Sequence, residues 1–173
     1  MRPEAVEAML PFMTEVFANP SGSHRFARQA RKSIDEARDV IADAIGCKPG
    51  EIVFTGCGTE SDNTAITGVI RRTPGVAVCS ATEHHAVLHC VEHANGVVVG
   101  VNELGTINLE ALQAALTPDV ASVSVMAVNN ETGVIYPIKQ IAEMARQHGI
   151  LFHSDATQAV GKIPINVLED EID

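Results

Sequence analysis

A chain of 173 residues, 46% hydrophobic and 20% charged, is long enough to bury a proper core and too apolar for a disordered segment, so it reads as one globular domain. Twelve Lys and Arg against 22 Asp and Glu leave a net charge of −10, which repels phosphate backbones and anionic lipid and argues against nucleic acid or membranes as partners. Any anionic ligand must therefore be held locally. Cys47, Cys57, Cys79 and Cys90 form no CxxC pair, the opening MRPEAVEAML has no basic stretch before an apolar signal core, and no apolar run reaches transmembrane length; the reducing cytoplasm is the expected setting.

Hydrophobic spacing then alternates between helical and extended periods. Residues 24–46 place Phe26, Ala30, Ile34, Ala37, Ile41 and Ala44 three and four apart, predicting a long amphipathic helix stopped by Gly46. EIVFT (51–55) predicts a strand, 59–72 a helix, 76–81 a strand and 85–95 a helix. Further on, 96–101 reads as a strand, 108–116 as a helix and 121–128 as a buried strand. Residues 137–149 read as a helix, with Pro137 in its first turn and Gly149 just past its end, and 150–155 as the last strand. Strands alternating with helices through short connections imply an α/β fold, three-layer αβα, with a mostly parallel sheet, because parallel strands need crossovers. No repeat, low-complexity tract or linker marks a domain boundary.

Polar residues concentrate in the loops that leave the carboxyl ends of these strands, where α/β proteins bind ligands. TGCGTESDN offers a glycine turn and a helix N-terminus, a natural anion cradle, although Thr59 equally suits a simple N-cap. It has neither the lysine of a Walker A loop nor GxGxxG spacing. SATEHHAVL offers Glu83 and His84. His85 and His89 are spaced like two metal ligands on one helical face, but no third ligand converges on them and no metal is expected. VNNETGV offers Asn129, Asn130 and Glu131, and HSDATQAVGK offers Asp155 and Gln158. Asp155 suits a ligand contact and, equally, the cap of the turn that follows it.

Taken together, NPSGSH, FTGCGTESDNTAITG, ATEHHAVL, VNNETGVIYPI and HSDATQAVGKIPI resemble the pyridoxal-phosphate-dependent cysteine desulfurases of nitrogen fixation and iron–sulfur-cluster assembly, in the class V aminotransferase group. The resemblance covers nearly the whole chain, and related selenocysteine lyases share parts of the pattern. It implies the large domain of the type I fold of pyridoxal-phosphate enzymes. It also implies that Gly58 and Thr59 hold the cofactor phosphate, that His84 stacks on the ring, and that Asp155 keeps a proton on the pyridine nitrogen. Asn130 and Gln158 would hydrogen-bond around the phenolic oxygen and the substrate. His84 and Asn130 are accordingly the expected catalytic contacts.

The resemblance also sets expectations about what is missing. The cofactor-anchoring lysine, the substrate-carboxylate arginine and the persulfide-forming cysteine belong to segments not matched here, and Lys162 does not fit the lysine motif. Residues 1–173 are thus expected to be a partial large cofactor-binding domain without the small C-terminal domain, inactive alone. The complete form would pass sulfur from L-cysteine to a protein persulfide, release alanine, act as a homodimer and serve an iron–sulfur scaffold or other acceptor protein. A related lyase or a non-enzymatic cofactor-binding scaffold stands as the alternative.

Overall fold

The computed structural model describes residues 1–173, and the chain falls into two compact units, Met1–Ile52 and Val53–Asp173. In the first, α1 (Pro3–Thr14) starts with a proline at a position where the missing N–H costs nothing, and none of its residues is buried. No spacing argument anticipates α1. The next helix, α2 (Arg25–Ile45), is the predicted one. The His24 ring accepts the Ala27 N–H at 3.2 Å to cap its start, and Gly46, at φ 73°, takes the left-handed turn that ends it.

Its inward line differs from the predicted one. Ala27, Ala30 and Ala42 are buried and Ile34, Arg38 and Ile45 half-buried, whereas Phe26, Ala37, Ile41 and Ala44 are exposed. The inner face therefore shares Ala30 and Ile34 with the predicted stripe, then turns aside by one residue through Arg38, whose guanidinium donates to the Ile52 carbonyl. The strand expected at 51–55 is absent as well. Pro49–Glu51 form a 3₁₀ turn, and Ile52 is extended (φ −83°, ψ 128°) with no ladder partner. Branched and aromatic side chains extend a backbone, but only pairing makes it a strand.

The second unit carries the sheet. Its elements run α3 (Gly58–Arg72), β1 (Val76–Ser80), α4 (His85–His93), β2 (Val97–Val99), α5 (Leu109–Ala115), β3 (Val120–Ser124), α6 (Ile138–Gln147) and β4 (Leu151–His153). The strands are all parallel in the order β2-β1-β3-β4, with Val78 opposite Val97 and Val123, and Ser124 opposite His153. Alternation sends Ala77 and Cys79 to one face, against Ile66 of α3 and Val87 and Val91 of α4. Val78, Val123 and Phe152 go to the other, with Leu112 of α5 and Ile141 and Ala145 of α6. Each fully buried side chain of this kind contributes about 1.5–3 kcal/mol. The result is the expected three-layer αβα arrangement.

This topology positions the site. After β1 the chain crosses to β2 on one side, then returns to β3 on the other, so the connections diverge at the carboxyl ends of β1 and β3. A crevice opens at such a switch point.

Candidate functional site

A pocket of about 290 Å³ lies at that edge, lined by Gly58, Thr59, Asp62, His84, Met126, Val128, Asn130, Asp155, Thr157 and Gln158. The six residues to which the resemblance gives a contact, Gly58, Thr59, His84, Asn130, Asp155 and Gln158, all line it, whereas Glu83, Asn129 and Glu131 from the same loops do not. The six arrive from four loops spread over about 100 residues of the chain, brought together by the shared direction of the strands.

The wall at Gly58 and Thr59 is the N-terminus of α3. Cys57 precedes it without any side-chain cap, and the first N–H bonded back along the chain is that of Ser61, to the Cys57 carbonyl at 3.2 Å. The first-turn N–H groups therefore remain available, at the positive end of the helix dipole. Space is also left there: a Cβ at Gly58 would come no closer than 3.7 Å to Thr157 Oγ1.

His84 caps α4. Its Nδ1 accepts the Ala86 N–H at 3.1 Å, which fixes the ring and leaves Nε2 as the protonated nitrogen. Asp155 lies two residues beyond the end of β4. One carboxylate oxygen accepts the Thr157 N–H at 2.9 Å, while the backbone carbonyl accepts from Ala127 N at 3.0 Å. The second oxygen carries no bond from the chain. Capping and ligand contact are thus compatible, one oxygen for each. Gln158 Oε1 accepts from Lys162 Nζ at 2.6 Å, turning the amide NH₂ into the free end. Asn130 is exposed on a loop held by its neighbour: Asn129 Oδ1 accepts from Glu131 N and Thr132 N, and Asn129 Nδ2 donates to the Thr82 carbonyl at 3.0 Å.

Behind these groups lies a set of buried acids. Asp62, one turn into α3, faces the pocket, and its Oδ1 stands 3.7 Å from His153 Nε2. The other nitrogen of His153 pairs with Ser124 Oγ at 2.7 Å. Burial, reinforced by Asp155 and opposed by His84, raises Asp62 to about 6. Burial also pushes His153 down, so it is neutral at neutral pH. Glu83 is raised further, to about 8, chiefly by burial, with Asp155 and Asp62 adding to it and a bond from Met126 N opposing.

Asp62, Met126, Val128 and Thr157 were not anticipated as lining residues. Asp62 stands in the quoted TGCGTESDN, and four residues past Gly58 is one turn on the same helical face, a spacing that would have marked it. Met126 and Val128 carry no polar signal that sets them apart from core. On α4, the His85 and His89 rings stack in parallel with centroids 4.8 Å apart, and no cluster of three or more His, Cys, Asp or Glu residues is placed to hold a metal.

A parallel sheet with an uncapped helix end, a capped imidazole and a half-free carboxylate at its switch point defines an α/β protein with a pocket whose walls offer both anion-binding N–H groups and an anionic oxygen. The aminotransferase class-V family matches residues 1–173, and the chain belongs to that family. A cysteine desulfurase of Cereibacter sphaeroides is 44% identical over 182 residues, spanning 100% of this chain and 47% of that protein. The cysteine desulfurase NifS of Azotobacter vinelandii is 43% identical, spanning 98% and 44%. Among solved structures, a NifS-like protein from Rickettsia africae superposes with a TM-score of 0.88 at 32% identity, covering 100% of this chain and 49% of that one. SspA in complex with cysteine gives 0.91 at 34% identity, covering 100% and 52%. The chain spans about half the length of the curated relatives it matches.

Proposed function

We propose that this chain is the cofactor-binding part of a cysteine desulfurase, holding pyridoxal 5′-phosphate in the pocket at the sheet edge. The observation that carries the reading is the convergence of Gly58, Thr59, His84, Asn130, Asp155 and Gln158 on one pocket with an uncapped helix end. The donor set fits the group. Free N–H groups at Gly58 and Thr59, with the Thr59 hydroxyl, suit a phosphate. The fixed His84 ring suits a flat aromatic, and the open oxygen of Asp155 suits a protonated pyridine nitrogen. Gln158 offers its NH₂ and Asn130 its amide to the phenolic oxygen and the substrate.

Pyridoxal phosphate, when bound, supplies an electron sink for the carbanion of an amino-acid substrate. The chain's own residues orient the ring and hold its proton. In the whole protein, L-cysteine would give up its sulfur to a cysteine thiol as a persulfide and leave as alanine, and the persulfide would feed an iron–sulfur scaffold or another acceptor protein. The names of the relatives, cysteine desulfurases, and a structural neighbour in complex with cysteine support this substrate. A homodimer in the cytoplasm is part of the same reading. The four free cysteines accord with a reducing compartment, and no helix is long and apolar enough to cross a membrane.

Titration of the wild type, Asp155→Asn and Asp39→Asn with pyridoxal phosphate at neutral pH tests this. The wild type and Asp39→Asn should bind reversibly with the same absorption spectrum, and Asp155→Asn should shift it, because only Asp155 favours a protonated ring. No binding at millimolar cofactor, or borohydride fixation of the cofactor at Lys162, would overturn the assignment.

A further inference from the structure

Glu83 has no part in the proposed cofactor contacts, yet it is as deeply buried as Asp62, which lines the pocket. It sits between Thr82 and His84 on the loop that follows β1, 6% exposed. Beyond Ser124 the chain continues beside β4, with Val125 N donating to the His153 carbonyl at 3.1 Å and Ala127 N to the Asp155 carbonyl at 3.0 Å. The intervening Met126 N–H points the other way, toward the side where β1 has already ended at Ser80. Glu83 Oε1 takes the place of the missing strand carbonyl and accepts that N–H at 2.9 Å. Its Oε2 is buried and has no partner.

An ionised carboxylate with a bare oxygen in such a place is strongly disfavoured, whereas a neutral acid is not: Oε1 is then the carbonyl acceptor and Oε2 the hydroxyl. The groups facing Glu83 push the same way. Asp62 approaches from α3 and Asp155 from the end of β4, both carboxyl groups, and Cys79 lies on β1 with its thiol pushed up to about 12, neutral throughout the working range.

We propose that Glu83 is a positioning residue that, as a neutral acid, ties the His84 loop to the chain leading into Asn130, and so sets an upper pH limit on ligand binding in the pocket. It is the first of three cross-ties. Asn129 Nδ2 reaches back to the Thr82 carbonyl at 3.0 Å, and Thr82 Oγ1 meets the Tyr136 hydroxyl at 2.5 Å. The other two contain no carboxyl group; Glu83 alone loses its fit when it gives up a carboxyl proton. Its ionisation sets a third negative charge beside Asp62 and Asp155 and loosens the wall that carries His84.

The binding arm of the test rests on the pocket being a pyridoxal phosphate site; the ligand-free arm does not. Glu83→Gln keeps an acceptor for Met126 N and cannot ionise, while Glu83→Ala removes the acceptor. In the ligand-free full chain, the folded-state value of Glu83 lies above the unfolded one, so wild-type stability falls from about pH 4.5 to about pH 8 and then levels. Glu83→Gln should lack that component of the slope, and Glu83→Ala should have a lower denaturation midpoint than Glu83→Gln at pH 7. With pyridoxal phosphate, the wild-type affinity relative to Glu83→Gln should drop about tenfold between pH 7 and pH 9, as the neutral fraction drops. A wild-type slope unchanged in Glu83→Gln, or Gln and Ala variants equally damaged at pH 7, would overturn the proposal. Absence of binding in every variant would overturn the cofactor reading instead, and the ligand-free slopes would then decide the role of Glu83 by themselves.

Discussion

Asp155 divides its two oxygens between the fold and the pocket, one on Thr157 N and one unbonded, and its neighbour Asp62 answers to the same charge. Because Asp62 is raised from 3.8 to about 6 by burial, with Asp155 adding, the folded chain holds its proton to higher pH than the unfolded chain does. Stability from this group is therefore fully present below about pH 4 and is lost as pH climbs through about 6. Asp62→Asn keeps the shape and cannot ionise. Relative to wild type it should gain on the order of 2 kcal/mol between pH 4 and pH 7, read by urea denaturation at several pH values. A difference constant across that range would show that Asp62 ionises in the fold as freely as in water.

At the scale of elements, what could be read from the sequence is what depends on local chemistry and period. Gly46 and Gly149, at φ 73° and 69°, end α2 and follow α6 as their positions indicate, and the four elements from β1 to α5 fall inside the predicted spans, whereas β3 starts one residue before the predicted 121–128 and ends at Ser124. Partner-dependent features were less legible. Residues 51–55 have strand composition and no ladder, and the inner face of α2 turns on which alanines meet a neighbour, which spacing alone does not choose. The site followed the same division. Polar residues at strand ends stood out, whereas Met126 and Val128 look like core until the crevice is built. Two glycines show how packing decides outcomes that composition cannot. At Gly68, inside α3, a Cβ would meet nothing within 4 Å, so Gly68→Ala should stabilise by about 0.5–1 kcal/mol through helix propensity. At Gly96, leading into β2, a Cβ would fall 2.3 Å from the Ala77 carbonyl oxygen and 2.5 Å from Val91 Cγ1, so Gly96→Ala should lower the thermal midpoint by several degrees or more. Equal midpoints for the two variants would contradict this packing.

For the whole molecule, exposed apolar surface and net charge act in opposite directions. In the first unit, Leu10 is 52% exposed and Phe17 75% exposed, and no residue of α1 is buried. In the second unit, Val53 is 75% exposed, and Val97 and Val98 of β2 are exposed at a sheet edge. Surfaces of this kind favour association, and an unpaired edge offers a template for it. A charge of −10 on every copy resists the same contact, but only over the distance that salt allows, about 10 Å at 0.1 M and about 3 Å at 1 M. Hydrophobic contact survives screening and repulsion does not. The isolated chain should therefore self-associate, and the association should strengthen as sodium chloride is raised from 0.02 to about 0.5 M, a range over which the screening length shrinks several-fold. Sedimentation velocity at two protein concentrations across that series reads the balance directly. Weakening with salt would mean that ion pairs hold the copies together, and a monodisperse, highly stable monomer throughout would mean that the exposed apolar residues are not sticky in water.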